Sequence, residues 1–301
     1  MKNIAGSNCL LTGAAHGIGR AMAALLAQEG VNLFLVDLDE QSLERVGAQL
    51  RETGAEVRTA GGDVSRIEDW RALRDRVCSD FGRLDMLINN AAIGGGGRAH
   101  TLEDADWQRI LNVNLWSVIH SIKVFLPDML EQRSGHFINV ASGAGIIGLP
   151  LHLQYIASKF AVVGITEALY SEYSHTGVSF SVICPARIRT NIVDRSFIAY
   201  GDMFQNADPE TRERKLAEFK QRFWSKDRDG AISAELAAAR YVAGIKKEKL
   251  YILDTPKLRI AMVLKGAFEG LYKRVLRSEG KRSLAKLKQT LNELGIDYPD
   301  L

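Results

Sequence analysis

Short apolar runs bounded by turn residues alternate along this chain with longer stretches whose apolar positions recur every three or four residues. The short runs predict strands at 8–11, 32–36, 56–59, 86–88, 136–140, 179–183 and 250–253; the longer ones predict helices at 20–28, 41–52, 67–80, 102–130 and 154–175. Strand followed by helix, repeated this often, is the signature of an α/β protein built on a parallel sheet. The strands are apolar on both faces, so helices should cover the sheet on both sides, giving a three-layer, doubly wound architecture. Ligands in such sheets bind beyond the carboxyl ends of the strands, and chemistry is expected in the residues that follow each one.

The first strand is followed by Thr12-Gly13-Ala14-Ala15-His16-Gly17-Ile18-Gly19, and a helical pattern begins at once. Glycines at such a turn let backbone N–H groups approach a phosphate, and the helix N-terminus adds about half a unit of positive charge. Gly13, Ala15, His16, Gly17, Ile18 and Gly19 are therefore candidate contacts to a pyrophosphate. Asp37 closes the second strand 18 residues beyond Gly19, near the ~20 expected of the acid that bonds a ribose 2′-hydroxyl. An acid there repels a 2′-phosphate, and neither position 16 nor Leu38 supplies a compensating Arg or Lys, so NAD is favoured over NADP. The alternative for Asp37 is a strand-end carboxylate or helix cap. Asp63 and Val64, after the third strand, are candidates for an adenine edge, with a turn at Ser65 as the alternative reading of Asp63.

Tyr155 and Lys159 are four residues apart in a helical segment, which sets a phenol and an ammonium one turn apart on one face. A neighbouring cation favours phenolate, and a poised phenol can exchange a proton with an alcohol or ketone. Ser142 follows the fifth predicted strand in a glycine-rich turn, where its hydroxyl could bond a substrate oxygen.

Taken together and in this order, these residues resemble the short-chain dehydrogenase/reductase family, in its single-domain Rossmann-type branch. The resemblance rests on the T-G-x-x-x-G-I-G of residues 12–19, Asn89-Asn90-Ala91-Ala92, Asn114 within Asn112-Val113-Asn114, Ser142, the Y-x-x-x-K, and Pro185-Ala186-Arg187-Ile188-Arg189-Thr190. It spans roughly residues 5–255. It implies Tyr155 as acid/base, Ser142 as the group polarising the substrate oxygen, Lys159 as tuner of Tyr155 and ligand of the nicotinamide ribose, and Asn114 as a helix-interrupting residue holding a relay water. It further implies that Asn90 and Ala91 lie against the adenosine side, with Pro185, Ile188 and Thr190 near the carboxamide. Ala92 and Ala186 stand where the family usually has Gly, and a slightly altered loop is expected at each.

The fold implied is an oxidoreductase domain at 1–255, with a helical substrate lid inserted at about 191–230, followed by a helical extension at 256–301. Aromatic residues of the lid (Phe197, Tyr200, Met203, Phe204, Phe219, Phe223 and Trp224, with Met203 the one aliphatic) and Ile146, Ile147, Leu149 and Leu153 suggest a lipophilic alcohol or ketone as substrate. Ile147 and Leu149, with Ser142 and Tyr155, are the substrate candidates, and Gly94-Gly95-Gly96-Gly97 reads as a mobile loop. The rival functions are a serine hydrolase using Ser142, weakened by Val140 where G-x-S-x-G needs Gly, and a non-catalytic dinucleotide binder, weakened by the retained Tyr and Lys.

Composition narrows the setting. A net charge of +3 gives no reason to expect a nucleic-acid partner. Cys9, Cys78 and Cys184 form no metal or redox pair, the six histidines form no ligand pattern, and no leader pattern is visible at the start, so a cytoplasmic location without a metal is expected. No apolar run is expected to span a membrane. The charge is uneven: residues 256–290 carry ten Lys and Arg against two Glu, a local +8 that leaves −5 for the rest. There Ile260, Val263, Leu264, Ala267, Phe268, Leu271 and Val275 make an apolar helix stripe, suited to packing on its own domain, on another subunit or on an anionic membrane surface. The resemblance also implies a homodimer or homotetramer through the helices at 102–130 and 154–175.

Overall fold

The computed structural model describes residues 3–189, 197–199, 208–223 and 230–296. Seven parallel strands form one sheet in the order β3-β2-β1-β4-β6-β7-β9: β1 Asn8–Thr12, β2 Asn32–Asp37, β3 Val57–Gly61, β4 Met86–Asn89, β6 Gly135–Val140, β7 Val178–Cys184 and β9 Tyr251–Leu253. Each predicted strand is present with its ends moved by a residue or two. Alternate side chains feed two cores, as the period of a strand requires. Cys9, Leu11, Leu33, Leu35, Ile138 and Val140 face one layer, built on helices α1 (Gly17–Gln28) and α2 (Glu40–Arg51); Leu10, Phe34, Val36, Leu87 and Phe137 face the other, which includes α3 (Ile67–Phe81).

A helical run crosses the second face as α4 (Asp104–Leu111), a π-helical turn Asn112–Trp116, and α5 (Ser117–Gln132). The run 104–132 is long and apolar enough to cross a membrane by length and composition, contrary to the expectation from sequence. Its Ile110, Val118, Phe125, Leu126 and Met129 are buried in the protein core, which accounts for that apolarity. Asn114 sits in the π-helical turn, so the helix is interrupted where the resemblance implied. Helix α6 (Leu153–Tyr173) follows, then α7 (Pro209–Phe223) and α8 (Ala234–Ile245), whose Ser233 cap accepts the Leu236 N–H.

Two readings need correction. The glycine run is a strand, β5 (Gly95–Gly97), paired in parallel with β8 (Phe197–Ala199); Gly97 N–H also donates to Leu151 O at 3.0 Å. Side-chain patterns cannot reveal a strand without side chains, and the glycines are buried because the backbone packs closely there. The C-terminal stripe is not one helix: it breaks at Phe268 (φ −134°, ψ 62°) into α9 (Pro256–Ala267) and α10 (Glu269–Glu293). Leu258 joins Ile146, Val163 and Cys184 in the core, and Leu287 and Leu291 pack with Phe219 and Phe223 of α7, while Ile260, Val263, Phe268, Leu271 and Val275 remain exposed. Tyr200, Met203, Phe204 and Trp224 of the expected lid lie outside the described residues.

Buried polar groups pin the sheet. Asn89 Nδ2 donates to Ser121 Oγ and Asn139 Oδ1, each at 2.8 Å, and Asn139 Nδ2 donates to Thr166 Oγ1 at 3.0 Å. His136, fully buried in β6, meets Ser181 Oγ through Nε2 at 2.8 Å. Ser181 donates its own proton to Lys249 O, so Nε2 of His136 carries the hydrogen. Burial lowers the His136 pKa from 6.5 to about 4. A neutral imidazole favoured in the fold gives stability that is complete above pH 6.5 and lost as pH falls towards 4. Urea titrations should show about 3 kcal/mol of acid destabilisation from this residue, and His136→Gln should flatten the stability profile over that window.

Candidate active site

The strand order reverses between β1 and β4, and a cavity of about 440 Å³ opens at the carboxyl ends there. At one end it is lined by Gly13, His16, Gly17, Ile18, Gly19, Asp37, Leu38, Asp63 and Val64. Gly13 and Gly17 have left-handed φ of 65° and 52°, which other residues adopt reluctantly. A Cβ on Gly19 would lie 2.0 Å from Gly13 O, so the turn closes only without one. His16, at the N-cap of α1, makes no side-chain cap hydrogen bond, which leaves first-turn N–H groups for an anion.

Asp37 is fixed at the end of β2. Its Oδ2 accepts the Ala15 N–H at 2.9 Å and its Oδ1 the Asp39 N–H at 3.0 Å. Ala15 thus lies behind the cavity and acts through its backbone. His16 Nε2 is turned to Asp39 Oδ2 at 2.9 Å. Asp63 lines the cavity, and its Oδ1 accepts the N–H and hydroxyl of Ser65, which forms the turn. A turn open to close approach, uncapped donors and a carboxylate one strand away together fit the pyrophosphate and adenosine ribose of a dinucleotide.

Asn90 and Ala91 line the middle of the cavity. Asn90 Nδ2 donates to Thr12 O and Gly13 O at 2.9 and 3.1 Å, and Thr12 Oγ1 accepts the N–H groups of Asn90 and Ala91 at 3.0 Å each. Asn114 is buried and does not line the cavity. It holds both backbone groups of Ile93, at 2.9 and 3.0 Å, and donates to Ser158 Oγ at 3.3 Å; Ser158 in turn donates to Tyr155 O.

The far end brings together Val140, Ala141, Ser142, Tyr155, Lys159, Pro185, Ala186 and Ile188. Ser142 caps the single 3₁₀ turn Gly143–Gly145, its Oγ accepting the Ala144 N–H at 3.1 Å. Tyr155 and Lys159 share the inner face of α6, and the Ser142 hydroxyl lies close enough to the Tyr155 phenol to affect its titration. Burial raises the Tyr155 pKa, and the Ser142 hydroxyl partly offsets that by favouring phenolate. Lys159 is only 2% exposed. Its Nζ donates to Val140 O at 2.9 Å and lies 5.8 Å from the Tyr155 ring centroid, and burial lowers its pKa to about 8. Spacing alone predicts phenol and ammonium as direct partners; here Ser142 is the polar neighbour of Tyr155, and the β6 carbonyl holds the ammonium.

Two expectations fall elsewhere. Ile147 packs into the core beside Val163, Leu149 is exposed on the loop, and neither reaches this cavity. Thr190 lies outside the described residues. Conversely, sequence reasoning overlooked Asp254, the residue after β9. Its buried carboxylate accepts the Ala186 N–H at 3.0 and 3.2 Å and the Tyr241 hydroxyl at 3.0 Å. Its position after a strand was the available signal. Leu258 of α9 was also overlooked: a Cβ on Gly143 would come within 3.0 Å of it, so the tail braces the Ser142 turn.

The short chain dehydrogenase family model matches residues 7–200. The 2-(S)-hydroxypropyl-CoM dehydrogenase 3 of Xanthobacter autotrophicus is 33% identical over 209 residues, covering 69% of this chain and 80% of that protein. A short chain dehydrogenase/reductase from Burkholderia phymatum, solved in complex with NAD, matches with TM-score 0.78 and 34% identity over 90% of this chain and 96% of that one. A short-chain dehydrogenase from Sphingobium yanoikuyae, solved with NADPH, shares the fold at TM-score 0.71 and 24% identity, covering 89% and 95%. With its motifs in order along a matching sheet and a family match over more than half its length, the chain belongs to the short-chain dehydrogenase/reductase family and is an oxidoreductase.

Proposed function

We propose that this protein is an NAD-dependent oxidoreductase that interconverts a secondary alcohol and a ketone, with Tyr155 as acid/base. The observation that carries the proposal is one continuous cavity lined both by Asp37 with the glycine turn and by Ser142, Tyr155 and Lys159. Asp37 faces where the adenosine ribose would lie, and its charge disfavours a 2′-phosphate; the NAD bound in the Burkholderia phymatum relative agrees with that choice. The nicotinamide, when bound, takes hydride from the alcohol carbon or returns it to the carbonyl carbon.

The chain's own residues handle the proton and the substrate oxygen. Burial keeps the Tyr155 phenol protonated, which suits it to give its proton to the carbonyl oxygen in reduction and to recover it in oxidation. Ser142, which neighbours the phenol in the same cavity, would hold the same oxygen. Lys159 supplies a cation behind the phenol and would bond the nicotinamide ribose. Asn114 holds Ile93 and, through Ser158, the backbone of Tyr155, which keeps the helix carrying the phenol in register with the cavity wall. Ile93, Val113, Val140 and Ile188 make that end apolar, which favours a lipophilic substrate, and the relative named for a 2-hydroxypropyl group supports a secondary alcohol. Residues 1–255 form the oxidoreductase domain in this reading.

Tyr155→Phe should reduce turnover of secondary alcohols with NAD by roughly 10²–10⁴-fold while NADH binding, followed by fluorescence, stays near the original; unchanged turnover would refute the role. Asp37→Ala should lower the preference for NAD over NADP, measured as a ratio of kcat/KM values, by about tenfold or more. Lys159→Met should abolish turnover yet raise cofactor-free stability at pH 7 by ~2 kcal/mol. A pKa lowered from 10.5 to about 8 means that burying the charge costs stability below pH 8. That cost fades as pH rises from 8 to 10.5, so the two proteins' unfolding free energies should converge there.

A further inference from the structure

The C-terminal extension presents an apolar face that its own domain leaves uncovered. In α9, Leu258 and Met262 point inward, and Lys265 Nζ bonds Ile146 O at 3.3 Å and lies 4.3 Å from the Phe160 ring centroid. The opposite side carries Ile260, Val263 and Ala267 at helical spacing, with Ile260 and Val263 each 58% exposed. Phe268, at the break, is 56% exposed, and Leu271 and Val275 continue the exposed apolar series one turn apart on α10. On the helical period, Lys257 and Arg259 fall on either side of the α9 apolar sector, and Arg274 falls beside Leu271 and Val275.

Charge decides what such a face meets. Lys273 and Arg282 pair with Glu269 and Glu279, whereas Lys257, Arg259, Arg274 and Arg277 have no carboxylate partner among the described residues. A second copy docking this patch on itself about a two-fold axis would bring two +8 segments together. An anionic surface would neutralise them. We propose that α9 and the first half of α10 dock on an anionic phospholipid bilayer, with Ile260, Val263, Phe268, Leu271 and Val275 inserted at the boundary between headgroups and acyl chains and the flanking Lys and Arg at the phosphates. This surface is separate from the cavity and does not depend on the reading of its chemistry. Leu258, on the inward side of the same helix, ties the docked element to the Ser142 turn.

The test is sedimentation of the full-length protein with vesicles of phosphatidylcholine alone or mixed with phosphatidylglycerol. Binding should be about tenfold or more tighter to the anionic vesicles and should weaken steeply with added salt. The double variant V263E/L271E should lose that binding, and so should R259E/R274E, with thermal midpoint and NADH binding unchanged because these side chains are exposed. Absence of vesicle binding, equal binding to both vesicle types, or retention of binding by V263E/L271E would overturn the proposal. So would light scattering that shows V263E/L271E dissociating an oligomer while the parent ignores vesicles, since a second copy would then cover the face.

Discussion

Thr12 Oγ1 accepts two backbone N–H groups from β4's end, and Asn90 Nδ2 returns two hydrogen bonds to the carbonyls of Thr12 and Gly13. This reciprocal clasp spans the place where the strand order reverses, and the cavity depends on it. Neighbouring helices leave the sheet in opposite directions at that point, and the backbone pairing of β1 with β4 stops at Leu11 and Ile88, so the clasp carries the contact onward to Asn90 and Ala91. With it, the glycine turn is pressed against Ala91 so closely that a Cβ on Gly13 would lie 2.9 Å from its Cα. The absence of a side chain at Gly13 and Gly19 is thus a packing requirement first; the accessible N–H groups of α1 are its consequence. The same atoms that close the fold leave donors facing the cavity.

At the other end the protein tolerates an unfavourable group. Lys159 is buried with a carbonyl partner and no carboxylate, and its lowered pKa measures the cost. Tyr155 is likewise held against burial by a hydroxyl, not by a charge. Neither arrangement improves stability, and each is maintained by neighbours whose hydrogen bonds are complete: Asn114 on Ile93 and Ser158, Asp254 on Ala186, Gly143 on Pro185. Rigid surroundings holding costly polar groups at a cavity are what preorganised proton chemistry requires.

The sheet was legible because most of its strands are short and apolar on both faces, which leaves little else for those runs to be; the edge strand β3, with Arg58 exposed, is the exception. The cofactor turn and Asp37 were legible from spacing, since the chain's geometry fixes how far apart a β1 turn and a β2 terminus fall. Tyr155 and Lys159 were found by helical period, although their relation through Ser142 and Val140 was not. Illegible features share a cause: they are set by contacts distant in sequence or by backbone alone. β5 has no side chains to show a pattern, Ala15 acts through its N–H, and Asp254 meets Ala186 68 residues away. Ile147 and Leu149 were misplaced because proximity to Ser142 in sequence does not say which way a tight turn sends the chain.

The extension joins the parts that sequence kept separate. Leu258 fills the space beside Gly143, and the far end of α10 gives Leu287 and Leu291 to Phe219 and Phe223 of α7, where Lys286 Nζ also reaches Phe223 O at 2.9 Å. One segment therefore touches the turn that positions Ser142 and the helix within the expected lid span. A break at Phe268 makes this possible: a straight helix with a single apolar stripe would have to bury all of it on one surface, whereas two helices meeting at an angle place inward residues at both ends. What remains on the outer side is apolar by the same period that made the inner side apolar. Burial of the two ends thus explains the fold of the tail, but not the hydrophobicity of its middle, which needs a partner outside the domain.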